Sequence, residues 1–546
     1  MLTAARSTSR LWLLPSLLAA GIVALPLLAV LLSLATPGGA AWQHIVSTVL
    51  PGYVGNTIGL MLLVGVLSLI PGVGCAWLVA ACEFPGRKHF DWLLVLPLAA
   101  PAYVIAYAYT DLLDVSGPVQ SGLRALLGLK PGEFAIGGIR SLPGAALMLS
   151  LVLYPYVYLL TRTSFARRSG AQFNAARVLG LSPYRAFWRV AIPAARPAIA
   201  GGLALVLMET LADFGVVDYF AVPTLSTGVF RTWIGLGDKT AALRLAALML
   251  LFVAMLVSFE GLSRRGQPDP RDQSRAVPMR LKGWRAAAAS LACALPVALG
   301  FVLPVAVLVG YKLRSGGDQL FGRGFFDYAV NSASVSLAAA LIAAGIALFM
   351  SYSKRQYSNR GVEVLTRVGT LGYALPGMLL AVGLLGPIGV FDRSVTAWLR
   401  DSFSYSGGLL LSGTSMLLVY AYVCRFMTVA FNTVDAGLSG IPRAMDAAAR
   451  TLGAKPAAVV GRIHLPLLAP SLAAAALLVF VDAMRELPAT LMLRPFDFDT
   501  LATRVYRLAS DERLAEASSA ALAIVLLGII PVLLVHRISA KQDRRT

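Results

Sequence analysis

Long stretches without charged side chains are the feature that most restricts the fold of this chain. Residues 11–43 contain no Asp, Glu, Lys or Arg, and comparable stretches recur along all 546 residues. A helix needs about 20 apolar residues to cross the hydrocarbon core of a bilayer. Backbone groups in lipid must be hydrogen-bonded within the protein, so stretches of this length predict membrane-spanning helices and not barrel strands.

The composition agrees with a membrane protein and excludes an ordinary soluble domain. Hydrophobic residues make up 58% of the chain and charged residues only 14%, whereas soluble domains carry about 25% charged residues. The charge-poor stretches predict about twelve spans, at residues 11–34, 55–80, 91–113, 142–161, 196–217, 241–259, 286–311, 329–352, 367–388, 408–428, 467–489 and 516–536.

The distribution of basic residues predicts the orientation. The net charge is +20, and Lys and Arg concentrate in every second connection, including 162–196, 260–285 and the tail 537–545. Basic connections stay on the cytoplasmic side of a membrane, so both termini are expected there. This asymmetry accounts for the positive charge through the lipid bilayer, and we expect no nucleic-acid partner.

One polar segment occurs twice, 273 residues apart, which is half the length of the chain. The first copy reads Asn-Ala-Ala-Arg-Val-Leu-Gly over 174–180, and the second reads Ala-Ala-Ala-Arg-Thr-Leu-Gly over 447–453. Each glycine is followed thirteen residues later by a proline, Pro193 or Pro466. A polar segment repeated in register predicts that the chain is an internal duplication.

The residue types predict two short helices in each copy. The alanines favour a helix, and Gly180 and Gly453 can end it in a left-handed conformation. Proline at 183 and 456 suits the start of a second helix. Pro193 and Pro466 are expected to end that second helix where the chain returns to the membrane.

These two segments resemble the EAA loop of ABC importer permeases, a cytoplasmic Glu-Ala-Ala segment followed by Gly and then Ile-x-Leu-Pro. Asn174 and Ala447 stand where the family has Glu, and Asp446 lies one residue earlier in the second copy. The resemblance implies that both loops couple the chain to a separate ATPase. The loop residues to which it assigns this role are Asn174, Ala175, Ala176, Gly180, Pro193, Ala447, Ala448, Ala449, Gly453 and Pro466.

The same resemblance implies that ATP and Mg²⁺ are used by the partner ATPase and that this chain binds no cofactor. The chain contains no Gly-Lys dipeptide and therefore no phosphate-binding loop of the G-x-x-x-x-G-K type. We expect a transport subunit and not an enzyme.

The duplication predicts the fold class. We expect an all-α integral membrane protein with two tandem six-helix halves of the ABC type I importer permease, at residues 1–260 and 286–546. The Arg-rich and Pro-containing segment 261–285 is predicted to be a cytoplasmic linker. Because six is even, both halves enter the membrane in the same orientation, related by a pseudo-twofold axis along the membrane normal.

Acidic residues follow each loop at the same spacing. Glu209 and Asp213 follow Pro193, and Asp482 and Glu486 follow Pro466 with the same offsets. Four residues apart, each pair shares one helix face, and charges within a bilayer usually face a pathway or a partner. Three interpretations stay open: a translocation path, structural pairing that involves Arg485, or a position at the outer mouth of the membrane.

The path interpretation makes the four carboxylates candidate transient ligands for a cation that prefers hard oxygen donors, such as ferric iron. The sequence indicates no certain metal site. Tyr103, Tyr107 and Tyr109 offer further oxygen donors, but their place near the end of a span predicts an interfacial aromatic belt.

Across nearly its whole length, the sequence resembles the fused, twelve-span permeases of ferric-iron ABC importers. Residues 96–104, 112–120 and 485–491 carry this resemblance. It implies a bacterial inner-membrane location, a periplasmic binding protein that delivers Fe(III), and two ATPase subunits. We expect the outward loops 218–240 and 490–515 to contact the binding protein.

Two alternatives remain at this point. A fused thiamine permease would share the length, the duplication and the repeated loops. A proton-coupled secondary transporter with twelve spans would explain the span count and the duplication, but not two alanine-rich loops in register.

Overall fold

A computed structural model describes residues 13–130, 133, 138–263, 279–314, 324–357, 360–404 and 407–545, with side chains described throughout except at 167–171, 174, 262–263, 456 and 535–545. Most of the predicted linker 261–285 therefore lies outside the described residues.

Helices account for nearly all regular structure in this part of the chain. Before the linker they are Leu14–Leu32, Ala40–Thr48, Leu50–Ala81, Arg87–Leu93, Ala102–Leu113, Pro118–Leu127, Leu142–Val178, Pro183–Ala186, Ile192–Ala212, Gly215–Tyr219, Leu225–Phe230 and Lys239–Ser263. After it they are Trp284–Val297, Leu303–Arg314, Phe325–Gln356, Arg360–Gly369, Gly377–Phe403, Ser415–Ser439, Arg443–Thr451, Pro456–Val459, Leu465–Met484, Pro488–Leu493, Leu501–Ser510 and Leu514–Arg545.

Tighter and wider helical turns and one strand pair complete the structure. Short 3₁₀ turns are Ser33–Ala35, Leu96–Ala99 and Gly372–Ala374. Single π turns are Phe187–Ala191, Arg231–Gly235, Ala298–Val302 and Val460–His464. The strands Cys82–Glu83 and Met279–Arg280 pair in parallel.

The described residues contain eleven helices that are long and apolar enough to cross a membrane, or twelve if one bent pair counts as a span. This agrees with the predicted all-α membrane fold. The bent pair is Arg87–Ala99 with Ala102–Leu127, which meet at 89°. The third predicted span, 91–113, is therefore broken between Ala99 and Ala102.

Proline chemistry explains this break. Pro97 and Pro101 lack the backbone N–H that a continuing helix needs. The second half breaks at the corresponding Pro376, and its long helix begins at Gly377 and runs to Phe403, well beyond the predicted end at 388.

The structure consists of two compact units, each with segments from both sequence halves. The first-repeat unit comprises Ala40–Arg231, Leu248–Arg323 and Arg504–Thr546, and the second-repeat unit comprises Met1–Gly39, Thr232–Ala247 and Gly324–Thr503. The first spanning helix thus packs within the unit built mainly from the second half. The two predicted halves, 1–260 and 286–546, describe the repeat along the sequence and not these units. Their boundaries stay a prediction.

Each unit has a core of three helices that approach closely at small residues. In the first-repeat unit, Leu50–Ala81 and Ile192–Ala212 pack on Leu142–Val178. A Cβ atom added at Gly72 or Gly202 would lie 2.7 Å from atoms of Val157. In the second-repeat unit, a Cβ at Gly437 would overlap the Ser471 hydroxyl. Such contacts are typical of helix packing within membranes.

The duplication is also visible in polar contacts far from the repeated loops. In the first-repeat unit, the Thr57 hydroxyl accepts a hydrogen bond from the Leu225 N–H at 3.0 Å. In the second-repeat unit, the Ser332 hydroxyl accepts one from the Leu501 N–H at 2.7 Å. Both contacts hold the start of a helix that follows an acidic pair.

All four cysteines are free and buried. Buried free cysteines of this kind behave as small apolar side chains.

Candidate coupling loops and intramembrane carboxylates

The first helix of both repeated loops ends in the same hydrogen-bonded turn. Gly180 has φ +90° and Gly453 has φ +80°. The Gly180 N–H bonds to the Arg177 carbonyl at 3.0 Å, and the Leu181 N–H bonds to the Ala176 carbonyl at 3.1 Å. The second loop repeats both bonds, from Gly453 to Arg450 and from Ala454 to Ala449, at 3.0 Å each. This pair of bonds is the Schellman motif, and the predicted helix stops are confirmed.

The expected ends of the second short helices were wrong. Pro183–Ala186 continues through the π turn Phe187–Ala191 into Ile192–Ala212, and the second loop does the same through Val460–His464. Pro193 and Pro466 occupy the second position of the long helices. The wider turn before each proline keeps the chain helical.

The alanines of the loops divide between buried and exposed positions. Ala176 and Ala449 are buried, whereas Ala175, Ala447 and Ala448 are exposed. Pro193 is half-buried and Pro466 is exposed. The side chain of Asn174 lies outside the described residues.

An exposed leucine precedes the glycine in both loops. Leu179 is 84% exposed and Leu452, its repeat counterpart, is 88% exposed. The space around both glycines is open, since a Cβ added there would meet no atom within 4 Å. Two apolar side chains held outward at equivalent positions of rigid turns suit contact with a partner protein.

The first loop rests on an aromatic cluster. The ring of Trp77 lies 5.3 Å from Phe165, 4.8 Å from Phe173 and 4.7 Å from Phe187, measured between centroids. Phe165 and Phe173 are almost fully buried. Apolar packing of this kind joins the loop to the spanning helix Leu50–Ala81.

The second loop rests on an ionic cluster instead. Asp446 occupies the position equivalent to Phe173. One of its oxygens accepts from Arg355 Nε at 2.7 Å, and the other lies 2.8 Å from His464 Nε2. Arg355 also donates to the Leu438 carbonyl at 2.6 Å. Asp446 therefore ties the loop to the helix Phe325–Gln356 and to the π turn Val460–His464, which leads into Leu465–Met484.

The electrostatics of Asp446 follow from this cluster. Burial acts to raise the pKa of its carboxyl, but the hydrogen bonds from His464 and Arg355 outweigh burial and hold the pKa below its ordinary value. Sequence reasoning noted Asp446 only as a displaced family glutamate. One feature of the sequence could have revealed its inward-facing role: Asp446 occupies the repeat position of Phe173, which is buried.

The acidic pairs lie where spanning helices end and short helices begin. Ile192–Ala212 ends before Asp213, whose Oδ2 accepts from the Val216 and Val217 N–H groups at 3.1 and 3.2 Å. Leu465–Met484 ends before Glu486, whose Oε1 accepts from the Ala489 N–H at 3.1 Å. Both carboxylates satisfy the free N–H groups of the next short helix.

The second pair is matched by arginines at two positions that the first half fills with apolar residues. Asp482 bonds to Arg485 at 2.6 Å, and Glu486 pairs with Arg425 at 3.2 Å. The repeat counterparts of Arg425 and Arg485 are Val152 and Ala212. Asp482 and Glu486 are therefore both ion-paired, and their role in the path stays a prediction. Glu209 and Asp213 are half-buried, and a role in the path stays a prediction. Within the described residues, no group of three or more His, Cys, Asp and Glu side chains forms a metal site.

The aromatic-belt interpretation of the three tyrosines was wrong. Tyr103, Tyr107 and Tyr109 are 5%, 2% and 7% exposed. The Tyr107 ring lies 4.4 Å from that of Tyr219, and the Tyr109 hydroxyl donates to the Leu299 carbonyl at 2.7 Å. The break at Pro101 turns this short helix into the first-repeat unit, so its phenols face protein and not the membrane boundary.

Two segments of the chain match one protein family. Residues 72–265 and 336–546 each match the family described as binding-protein-dependent transport system inner membrane component. Together they cover most of the chain, and the double match agrees with the tandem duplication.

Some curated relatives align with most of this chain, and others align with less than half of it. An Fe(3+)-transport system permease protein of Haemophilus influenzae is 26% identical over 89% of this chain and 90% of its own length. A ferric transport system permease protein of Actinobacillus pleuropneumoniae is 23% identical over 92% of this chain and 74% of its own. A molybdenum transport system permease protein of Haemophilus influenzae is 29% identical, but covers 39% of this chain with 94% of its own length.

Proposed function

Because the chain belongs to the family of binding-protein-dependent transport system inner membrane components, we propose that it carries ferric iron through the bacterial inner membrane as the permease subunit of an ABC importer. The chain is a multi-pass transport subunit and not an enzyme. A binding protein and an ATPase are the partners that membership of this family implies.

The observation that carries the iron assignment is the extent of the similarity. The Fe(3+) permease of Haemophilus influenzae aligns with about nine tenths of both chains. The molybdenum permease, by contrast, corresponds to less than half of this chain. A fused chain with two permease halves is therefore shared with the ferric relatives.

The chemistry of the first-repeat unit supports the same cargo. Fe(III) prefers hard oxygen donors, and this unit holds Glu209 and Asp213 near the end of one span. Tyr107 and Tyr219 are in ring contact within the same unit, and Tyr219 ends the short helix that Asp213 caps. The carboxylates Glu209 and Asp213 are the candidate transient ligands on the route.

Two ATPase subunits fit the two repeated loops, one for each. The loops expose Leu179 and Leu452 at equivalent positions, and equivalent turns suit two copies of one partner. Both loops and both termini are cytoplasmic in this proposal, and loops 218–240 and 490–515 face the binding protein. Cysteines placed near Gly180 and Gly453 are expected to crosslink to the ATPase.

Uptake measurements in cells test which substrate the chain transports. Cells that lack the chain are compared with cells that carry it beside its ATPase and binding protein, using radiolabelled ferric iron and, separately, radiolabelled thiamine. We expect chain-dependent uptake of iron and not of thiamine. Uptake of thiamine alone would contradict the assignment of ferric iron as the substrate but not the assignment to ABC importers. Uptake that is driven by a proton gradient without ATP would contradict both assignments.

A further inference from the structure

A basic groove lies on the same side of the first-repeat unit as its repeated loop. Its volume is about 580 Å³, and its lining includes Arg87, Lys88 and His89 from one segment with Arg280 and Lys282 from another. Phe84 and Leu281, which also line the groove, pack into the apolar cluster that contains Ala176 and Ala186 of the loop region. The groove is therefore fixed beside the base of the loop.

The strand pair holds the two basic segments together. Cys82 pairs with Met279 and Glu83 with Arg280, and the Leu281 N–H bonds to the Glu83 carbonyl at 3.0 Å. Arg87 is held by a bond from its Nε to the Val79 carbonyl at 2.7 Å. Cations from positions almost 200 residues apart along the chain thus line one preformed groove.

The groove is lined by more basic side chains than acidic ones. Glu83 is the acidic residue among its lining side chains, and its Oε2 lies 3.1 Å from Arg280 Nε. Lys88 and Lys282 are exposed. This excess of positive charge favours the binding of an anion.

The position of the groove indicates what kind of anion it binds. Glu83 follows directly on the spanning helix Leu50–Ala81, and Lys282 lies two residues before the span Trp284–Arg314. Trp284 is 76% exposed at that point, and exposed tryptophans are enriched at the membrane–water boundary. The cations therefore lie at the level of lipid headgroups, where basic pockets bind anionic phosphates.

We propose that this groove binds the phosphate headgroup of an acidic phospholipid beside the first repeated loop. Lys88 and Lys282 supply exposed charges, while Arg87 is bonded to the Val79 carbonyl and Arg280 is paired with Glu83. The lipid tethers the base of the loop to the bilayer surface, next to the ATPase side of the protein.

Native mass spectrometry of the full chain in detergent tests this site. Short-chain phosphatidylglycerol is titrated against phosphatidylcholine of the same acyl length, and inorganic phosphate is added in a separate series. The test variant is K88Q/K282Q, with K88R/K282R as the charge-retaining variant. K130Q/R314Q is the matched control, because it removes two exposed cations at other span ends.

We expect one phosphatidylglycerol per chain to bind in preference to phosphatidylcholine. K88Q/K282Q is expected to weaken that binding about tenfold or more, since each basic residue near the surface contributes about 1 kcal/mol. K88R/K282R and the matched control are expected to bind like the unchanged chain. Equal affinity in K88Q/K282Q would overturn the proposal, as would equal binding of phosphatidylcholine. Full displacement by millimolar phosphate would overturn the lipid assignment by identifying a free-anion site.

Discussion

One register position shows how the two halves differ at the scale of single residues. Phe173 supports the first loop through ring contacts with Trp77, and Asp446 supports the second through Arg355 and His464. Burial of a phenyl ring does not depend on protonation, whereas the ionic cluster needs a charged carboxylate. The two loops should therefore respond differently to pH.

The substitution D446N is expected to reduce stability at neutral pH by about 3 kcal/mol, because it leaves the buried Arg355 without its carboxylate. The folded-state pKa of Asp446 is depressed, so its contribution is present above its unfolded pKa of about 3.9 and is lost as pH falls through the lower folded value. Thermal unfolding of both proteins between pH 7 and pH 3 measures this: the difference in Tm is expected to shrink below about pH 4.

F173A is the matched comparison for D446N. Truncation of this buried ring is expected to cost about 3–5 kcal/mol, with a difference from the unchanged protein that varies little over the same pH range. An equal pH dependence in both variants would show that Asp446 is not the titrating group.

The two acidic pairs are also expected to have different roles, one in transport and one in stability. D213N removes a charge, but asparagine still caps the short helix that follows, so normal protein levels are expected. If Asp213 serves the route, ferric uptake should fall at least tenfold. E486Q leaves the buried Arg425 without its carboxylate partner and should mainly lower the amount of folded protein.

Uptake and membrane protein level, measured together for D213N and E486Q, distinguish these two effects. Unchanged uptake in D213N at a normal protein level would remove Asp213 from the route. Full stability in E486Q would show that its ion pair has no structural role.

At the scale of elements, each repeated loop contains a helix with a defined stop and an outward leucine. The predicted first short helix is present only in the second copy, as Arg443–Thr451, because the corresponding helix of the first copy is the end of Leu142–Val178. The sequence allowed prediction of this stop because glycine in a left-handed conformation is a local property. It did not allow prediction of the helical continuation into the span, because a π turn depends on how the whole segment packs.

G180A and G453A are expected to destabilise the protein by about 1 kcal/mol each, since both glycines have positive φ. G461A is the control in the second loop, because Gly461 also has open space but no positive φ. It should be neutral or slightly stabilising. Tm values of the three variants measure the difference, and a loss in G461A equal to that in G453A would contradict the backbone explanation.

The exposed leucines make a separate prediction about docking. L179D/L452D is expected to leave Tm unchanged within about one degree, because surface substitutions usually have small effects. It should nevertheless lose the co-purifying ATPase, because it places charges in an apolar contact. L179M/L452M is the control. Retention of the ATPase by the aspartate variant would show that the leucines lie outside the docking surface.

At the scale of the whole molecule, the sequence predicted the span helices, the duplication and the repeated loops. These follow from hydropathy, turn residues and register, which are local along the chain. It did not predict that the first helix packs in the unit built mainly from the second half. The burial of Tyr107 and the pairing of residues 82 and 279 were likewise unforeseen. Those features depend on contacts between distant segments, which periodicity does not encode.

Transport by purified components tests the central claim most directly. The chain, its ATPase and its binding protein are reconstituted in proteoliposomes, and entry of radiolabelled ferric iron is followed with ATP, without ATP, and with an imposed proton gradient alone. Iron entry that requires ATP, the ATPase and the binding protein is the result we predict. Entry driven by the proton gradient alone, or ATP-dependent transport that excludes ferric iron, would contradict the claim.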